Sequence, residues 1–324
     1  MLHKHISPHS ESSISPAPFH VCILGCGSAR PSLRHAPAAQ ALIHHGRVCI
    51  IDCGEGAQLQ LARFGISPAK ITDIFISHLH GDHLLGLPGL ISTMVLDGRT
   101  EPVRIHIAPE GARLVRDILS VVSHGVSPEL VQYHTFDPAV PALILDEGAF
   151  SVSTIPLLHS IPAAGFIFRE KEKPRHIRSE AIRQYSIPYA AIPEIRRGAD
   201  FVTSSGLVIP NSDITAEPSP AYSYAYCSDT AFSPQVAELV RGVTVLYHEA
   251  TYDNTDIDKA AERGHSTAFQ AGQIARQAGA GILVIGHYST KIVDEQSLAR
   301  EAAAEFGGPV IAADEGLKID IALT

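Results

Sequence analysis

Three histidines and one aspartate lie within one short segment of the chain: His78, His80, Asp82 and His83. Imidazole nitrogens and carboxylate oxygens are ligands that suit zinc and similar divalent ions. In an extended segment His78 and His80 point the same way, because side chains repeat every two residues. Gly81 permits a sharp turn, after which Asp82 and His83 face the same place. The motif predicts a metal site; an exposed polar turn is the weaker alternative.

Two metal ions need more ligands than this motif offers. Further candidates follow predicted strands elsewhere in the chain: His159, Asp229 and His287. Polar groups at the ends of successive strands converge at one edge of an α/β sheet. The pattern predicts one ion held by His78, His80, His159 and Asp229. It predicts a second ion held by Asp82, His83, Asp229 and His287. The Asp229 carboxylate would bridge two ions about 3.5–4 Å apart. Two ions at this distance can stabilise both the attacking and the leaving oxygen of a displacement reaction.

Other polar residues are predicted to lie near the same edge. Asp52 follows a strand-like run and is predicted to orient a ligand histidine. His265 is predicted to protonate a leaving oxygen, with Glu249 orienting it or relaying the proton. Ser266 and Thr267 precede a helical pattern, and their hydroxyls are predicted to bind phosphate at the helix N-terminus. A capped helix beside an exposed histidine is the alternative for this segment.

The elements that must position these residues alternate between strands and helices. Short β-branched runs predict strands at 21–24, 48–51, 71–76, 104–107, 150–157, 223–227, 243–247 and 281–285. Helical patterns occupy 57–64, 109–120 and 268–278. This alternation predicts an α/β layered protein.

We expect one domain over residues 21–324, preceded by a flexible tail over residues 1–20 that is rich in Ser, Pro and His. Residues from about 169 to 220 lack a strand period and contain six prolines. The first part of this segment carries a local excess of basic residues, which predicts an inserted arm. A solvated loop of mixed charge is the alternative.

Composition limits the class of protein. The 324 residues are 45% hydrophobic and 18% charged, which is typical of a globular chain, and the net charge of -9 gives no overall attraction for nucleic acid. Apolar runs do not approach the ~20 residues that span a bilayer, so no membrane partner is expected. The chain has five cysteines, an odd number, and the four that lie in strand-like segments are predicted to be free, buried thiols, which favours the cytoplasm: Cys22, Cys26, Cys49 and Cys53.

The chain resembles ribonuclease Z, the tRNA 3′-processing endonuclease family of the metallo-β-lactamase superfamily. The His78–His83 motif alone identifies the superfamily. The family resemblance rests on the set of motifs: Leu24–Ala29, Asp52-Cys53-Gly54-Glu55, Gly86–Leu90, Ser228-Asp229-Thr230, His248-Glu249-Ala250-Thr251, His265-Ser266-Thr267 and Gly286-His287. The chain departs from the family pattern at 187–192, which lacks a Gly-Pro stretch of the arm, and at 31–35, which lacks the lysine of a CCA-sensing loop.

The resemblance implies a four-layer αββα sandwich and two zinc ions per subunit, although manganese or iron suits the same ligands. It implies cleavage of a tRNA precursor after the discriminator nucleotide, with Asp82 as base and with His265 and Glu249 helping the 3′-oxygen depart. It also implies a homodimer in which the arm of one subunit holds the tRNA that the other processes.

Two other functions stay open. The first is an enzyme of the same fold that hydrolyses small phosphodiesters such as cyclic nucleotides, because its metal chemistry would be identical. The second is a non-catalytic RNA-binding protein that keeps the fold. A binding module has no need of a complete pair of metal sites, so the ligand set argues against the second.

Overall fold

The computed structural model describes residues 19–122, 126–127 and 129–323. The strands, numbered along the chain, are β1 (Phe19–Gly25), β2 (Ala39–His44), β3 (Arg47–Cys53), β4 (Ile71–Phe75), β5 (Val103–Ile107), β6 (Val131–Thr135), β7 (Leu143–Glu147), β8 (Phe150–Leu157), β9 (Ala163–Glu170), β10 (His176–Ile177), β11 (Phe201–Val202), β12 (Val208–Ile209), β13 (Thr215–Ala216), β14 (Ser223–Cys227), β15 (Val245–Glu249), β16 (Ile282–Gly286), β17 (Val310–Ala312) and β18 (Lys318–Asp320).

The α-helices are α1 (Ala57–Arg63), α2 (Gly81–Leu84), α3 (Leu87–Leu96), α4 (Pro109–Val122), α5 (Ser179–Gln184), α6 (Ile192–Arg196), α7 (Asn211–Ile214), α8 (Pro234–Leu239), α9 (Ile257–Glu262), α10 (Ala268–Ala278) and α11 (Glu295–Phe306). None of the helices in the described ranges is long and apolar enough to cross a membrane.

Two large sheets form the centre of the molecule. Within the described residues, one has the order β18-β1-β2-β3-β4-β5-β6 and the other the order β17-β16-β15-β14-β9-β8-β7. In each sheet three consecutive pairs are parallel and three are antiparallel. The strands that carry the predicted site belong to both sheets, so the site can form only where the two sheets meet.

Alternating side chains of the strands build two layers of core. In β1, Val21 and Ile23 belong to the core cluster that contains Phe75, Phe166 and residues of the second sheet. Cys22 and Leu24 alternate with them and face the other way, into a cluster formed with α1, α3 and α4. Helices α8, α10 and α11 bury their apolar faces on the second sheet. The result is the predicted αββα sandwich.

Residues 171–222 leave the sandwich between β9 and β14. They contain the two small sheets β10–β13 and β11–β12 and three short helices. They also have a hydrophobic cluster of their own, formed by Ala181, Ile187, Ile195, Ile209 and Ile214. The predicted arm began at about 169, whereas Arg169 and Glu170 belong to β9, because both pair with β8 and Arg169 also pairs with β14.

The predicted N-terminal tail falls largely on residues 1–18, which lie outside the described residues. Its last two positions, Phe19 and His20, are the start of β1, where they pair with β2 and are buried. The prediction of free, buried thiols is confirmed for Cys22, Cys26, Cys49 and Cys53, and Cys227 is free and buried as well.

Candidate metal centre

The predicted ligands come together because each one follows a strand or begins a helix at the same end of the sandwich. His78 and His80 follow β4, and Asp82 and His83 lie in α2. The remaining three follow β8, β14 and β16, in that order: His159, Asp229 and His287. The structure thus gathers all seven residues from four separate segments of the chain.

The first donor set consists of His78, His80, His159 and one oxygen of Asp229. Nε2 of His78 and Nε2 of His159 each lie 3.1 Å from Nδ1 of His80. Oδ2 of Asp229 lies 3.6 Å from the His78 nitrogen and 3.7 Å from the His159 nitrogen.

The second donor set consists of Asp82, His83, His287 and the other oxygen of Asp229. Nε2 of His83 and Nε2 of His287 are 3.3 Å apart, and each lies 3.5 Å from Oδ2 of Asp82. Oδ1 of Asp229 lies 3.4 Å from the His83 nitrogen and 3.1 Å from the His287 nitrogen. The two oxygens of one buried carboxylate therefore face two different sets of donors.

These contacts fit metal ligation better than hydrogen bonding. A ring nitrogen has one in-plane site, which is either a proton or a lone pair. Nδ1 of His80 nevertheless faces nitrogens of two other histidines at 3.1 Å, so it can hydrogen-bond only one of them well. Donors about 2.0–2.1 Å from a tetrahedral zinc ion are separated from one another by roughly 3.3–3.4 Å. The observed separations lie close to that value in both sets.

The second ring nitrogen of four candidate ligands is held by a neighbour. Nδ1 of His78 contacts Ser77 Oγ at 3.0 Å, and Nδ1 of His83 contacts Asp52 Oδ2 at 2.7 Å. Nδ1 of His159 contacts the carbonyl oxygen of Gly264 at 2.8 Å, and Nδ1 of His287 contacts Thr251 Oγ1 at 3.0 Å. Such partners fix the tautomer and aim the free nitrogen at a metal. The sequence predicted Asp52 in this position; it missed Ser77, Thr251 and Gly264.

Asp52 and Gly264 have backbone conformations that serve the site. Asp52 has φ of 56°, a region that non-glycine residues rarely adopt, and its carboxylate also accepts hydrogen bonds from Ser77 and Tyr226. Gly264 has φ of 70°, and a Cβ there would lie 3.0 Å from Nδ1 of His159. A larger residue at Gly264 would therefore displace this candidate ligand.

Two of the candidate ligands, His78 and Asp229, are held in the protonation states that bind metal. Burial lowers the pKa of His78 well below its ordinary value and keeps the ring neutral. Burial alone would raise the pKa of Asp229, but the charges of His287 and His83 lower that pKa well below its ordinary value. The site therefore presents a carboxylate between imidazole rings that can bind a divalent cation in their neutral form.

His265 and Glu249 lie beside the second donor set. Nδ1 of His265 lies 2.8 Å from Oε1 of Glu249, and the His265 ring stacks on His287 with centroids 5.5 Å apart. Glu249 is completely buried and also accepts hydrogen bonds from Thr230 and Thr251. Burial by itself would lower the pKa of His265, but the Glu249 charge and hydrogen bond raise it to about 9.

The structure does not expose the two hydroxyls that were expected to bind phosphate. Ser266 and Thr267 are completely buried. Ser266 Oγ donates to the Thr230 carbonyl at 2.7 Å, and Thr267 caps α10 by accepting from the Gln270 amide at 3.2 Å. This burial is a correction to the phosphate-binding prediction, because a substrate would have to displace internal hydrogen bonds to reach either hydroxyl.

A cavity of about 320 Å³ gives access to both donor sets. Ala29, Asp82, His159, His265 and Arg263 are among its lining residues. The amide of Ala29 donates to Oδ2 of Asp82 at 2.7 Å, a contact that the sequence did not reveal. Arg263 is exposed and is the one arginine among the described residues that line the cavity. The cavity therefore combines metal ligands, a protonatable histidine and a positive charge.

Comparison with solved structures agrees with this architecture. The fold is similar to human tRNase Z, short form, with a TM-score of 0.66 and 25% identity over 93% of this chain and 99% of that one. It is also similar to the metallo-β-lactamase fold protein YhfI from Bacillus subtilis, with a TM-score of 0.67 and 18% identity over the same shares of the two chains. Fold and site together define a metal-dependent hydrolase of the metallo-β-lactamase fold.

Sequence comparison gives the family. The chain is 45% identical over 306 residues to Ribonuclease Z of Porphyromonas gingivalis, which covers 94% of this chain and 100% of the relative. It is 45% identical over 295 residues to Ribonuclease Z of Bacteroides thetaiotaomicron, which covers 91% and 93%. The chain belongs to the ribonuclease Z family, and its residues 19–261 also place it in the family described as Anti-Pycsar protein Apyc1.

Proposed function

We propose that this protein is an endoribonuclease that removes the 3′ trailer from tRNA precursors, by hydrolysing one phosphodiester at a centre that holds two zinc ions. The observation that carries the proposal is the pair of donor sets that share Asp229. The 45% identity to proteins named Ribonuclease Z supports the choice of substrate.

Two divalent ions at this centre would neutralise the charge of the phosphodiester and make water a stronger nucleophile at neutral pH. The protein's own part in the attack is to accept the proton of that water, and we assign this role to Asp82. Its Oδ2 belongs to the second donor set and accepts a hydrogen bond from the Ala29 amide. This hydrogen bond fixes the carboxylate at the edge of the cavity.

Departure of the tRNA 3′-oxygen requires a proton donor on the other side of the phosphorus. His265 lines the cavity, and with Nδ1 bound to Glu249 its Nε2 carries the proton that can be transferred. The bond between phosphorus and the 3′-oxygen breaks, the tRNA leaves with a 3′-hydroxyl, and the phosphate stays on the trailer. Ser266 and Thr267 hold the segment that places His265.

Binding of a long polyanion needs positive charge outside the metal centre, because the whole chain has a net charge of -9. Arg263 supplies it at the cavity, and basic residues of the inserted arm supply it farther away. We propose that the arm holds the tRNA, that the protein is a homodimer in which the arm of one subunit serves the other, and that it acts in the cytoplasm.

A second candidate is hydrolysis of small phosphodiesters such as cyclic nucleotides at the same centre. The observation that favours it is the cavity of about 320 Å³ beside both donor sets, which a small phosphodiester could enter without any contact to the arm. The two candidates share their metal chemistry and differ in what binds outside the cavity. The third possibility, non-catalytic RNA binding, has no such support, because it does not explain why two complete sets of metal-binding residues are present.

Parallel assays separate the candidates. The purified protein would be incubated with a 3′-extended tRNA precursor and with cyclic nucleotides, each with and without a chelator, and the ends of the RNA products would be sequenced. The proposal expects a chelator-sensitive cut directly after the discriminator nucleotide. Rapid hydrolysis of a cyclic nucleotide without any cut in the precursor would instead establish the second candidate.

A further inference from the structure

A second group of metal-binding side chains lies outside the centre described above. It consists of Cys26, which follows β1, His35, which lies in the loop between β1 and β2, and Glu315, which lies between β17 and β18. Sγ of Cys26 lies 3.3 Å from Nδ1 of His35 and 3.6 Å from Oε1 of Glu315. Nδ1 of His35 lies 3.0 Å from Oε2 of Glu315. Three different ligand types therefore face one point.

Hydrogen bonds account for only part of this arrangement. Nδ1 of His35 has a single in-plane site, yet it faces both the Cys26 sulfur and a Glu315 oxygen. If Nδ1 donates its proton to the carboxylate, it has no lone pair left for the thiol, whose other acceptors are Oε1 of Glu315 and the carbonyl oxygen of Ala313, each at 3.6 Å. The same geometric conflict marks Nδ1 of His80 in the dinuclear centre. A cation between the three atoms removes the conflict by accepting a lone pair from each.

The surroundings of His35 match those of a metal-bound histidine. Its other nitrogen, Nε2, lies 2.8 Å from Oε1 of Glu295 at the start of α11. A carboxylate on the far side of the ring is the usual partner of a ligand histidine. Glu295 also binds Arg34 at 2.7 Å, so its charge is compensated from outside the cluster.

The charges of the cluster also balance with a divalent ion. A thiolate and a carboxylate carry two negative charges, and a neutral imidazole adds none. Cys26 is completely buried. As a ligand, its thiol would release a proton when the ion binds.

We infer that Cys26, His35 and Glu315 form a third, mononuclear site for a divalent cation of the zinc class, separate from the dinuclear centre. The ion ties the loop that follows β1 to the turn before β18. That loop includes Ala29, whose amide donates to Oδ2 of Asp82 at 2.7 Å. With three protein ligands the ion would keep one position for water, and it would hold the loop that borders the cavity.

Cobalt substitution tests the inference independently of any activity. The full chain would be stripped of metal and titrated with Co²⁺ while its absorption spectrum is recorded. Thiolate bound to Co²⁺ gives a charge-transfer band in the near ultraviolet, whereas the histidines and aspartates of the dinuclear centre do not. We expect this band in the wild-type protein, together with about three equivalents of Co²⁺ bound per chain.

Two serine variants assign the band. Cys26→Ser should lose the band and bind about two equivalents, while Cys49→Ser, which changes a buried thiol within β3, should keep both the band and the third equivalent. Wild-type protein that binds Co²⁺ without a thiolate band would overturn the inference even if Cys26→Ser fails to fold. A band that persists in Cys26→Ser would overturn it as well.

Discussion

His265 donates its Nδ1 proton to Oε1 of Glu249 across 2.8 Å, and Glu249 is locked in place by the Thr230 amide and by Thr251. Both residues therefore have one orientation before substrate arrives. The Glu249 carboxylate is also a main reason that the pKa of His265 rises to about 9 despite burial, which by itself would lower it.

Glu249→Gln should change the pH dependence of cleavage. A general acid works only while it is protonated, so the wild-type rate should fall as pH rises through the pKa of His265, which Glu249 raises. The side-chain amide of the variant cannot stabilise the His265 imidazolium as the Glu249 carboxylate does. The fall in cleavage rate at high pH should therefore begin at a lower pH. Single-turnover rates across a pH series measure this, with the exposed Glu238→Gln as control. A fall that begins at the same pH in both variants would exclude the assigned role of Glu249.

His265→Ala should slow cleavage by about 10²–10⁴-fold, the usual contribution of a general acid. The variant should keep its bound metal, because His265 belongs to neither of the two four-residue donor sets proposed here. Metal analysis and single-turnover cleavage on the same preparation check both statements. An unchanged rate would remove His265 from the mechanism, and a parallel loss of metal would make it a ligand instead.

Asp229→Ala should lose metal and activity together. The substitution removes the one group that faces both donor sets, and its two oxygens lie 3.1–3.7 Å from four ligand nitrogens. Metal content per chain and cleavage rate should both fall, by about 100-fold or more for the rate. Asp258→Ala, an exposed aspartate in α9, serves as the control. An active Asp229→Ala variant with full metal content would contradict the bridging role.

Asp73→Asn tests stability away from the site. Asp73 is fully buried and binds Arg104 at 2.8 Å and His106 at 3.0 Å. Burial would raise its pKa, but hydrogen bonds from these and other partners lower that pKa far below its ordinary value. The substitution should reduce the free energy of unfolding by about 3–5 kcal/mol at neutral pH.

The loss of unfolding free energy caused by Asp73→Asn should depend on pH in one direction only. Because the folded pKa of Asp73 is depressed, its stabilisation is fully present above the unfolded pKa of about 3.9 and disappears as pH falls through the folded value. The difference between wild type and Asp73→Asn in urea unfolding should therefore shrink below about pH 4. Asp146→Asn, at an exposed position, should change little at any pH. A difference that stays constant in acid would refute the charged network as its source.

Removal of the arm should separate RNA cleavage from the chemistry of the centre. Residues 174–218 can be replaced by a short Gly/Ser linker, because Glu170 and Tyr222 already meet through a backbone hydrogen bond of 2.9 Å. Cleavage of the tRNA precursor should fall by about tenfold or more. Added salt should reduce the difference in cleavage rate between the wild type and the variant without the arm. Hydrolysis of a small aryl phosphodiester should change little. Equal losses on both substrates would make the arm a structural element only.

The sequence predicted those parts of the site that depend on residue type and strand ends. His78, Asp229 and His287 follow predicted strands, and the parallel strands of each sheet deliver their ends to one edge. The fold class could be predicted for the same reason. The long strand β9 was missed, because Ala163–Glu170 is buried along most of its length and shows no alternation of polar and apolar residues.

Contacts that backbone groups make with side chains of distant segments could not be predicted. The Ala29 amide reaches Asp82 only through the pairing of β1 with its neighbours, and the carbonyl of Gly264 reaches His159 from a loop that follows α9. The burial of Ser266 and Thr267 likewise depends on how the start of α10 packs against Thr230. Residue types do not encode such packing, because the same hydroxyls at an exposed helix end would be free to bind an anion.

The two-ion centre that shares Asp229 underlies the proposed chemistry, and anomalous scattering at the zinc edge from crystals of the protein grown with zinc tests it most directly. Two anomalous peaks about 3.5–4 Å apart are expected at this centre, one between the Asp229 carboxylate and His78, His80 and His159, the other between it and Asp82, His83 and His287. The third ion inferred at Cys26, His35 and Glu315 would give a separate peak outside this centre. A single peak at the centre, or a pair that leaves Asp229 uncoordinated, would contradict the shared two-ion site.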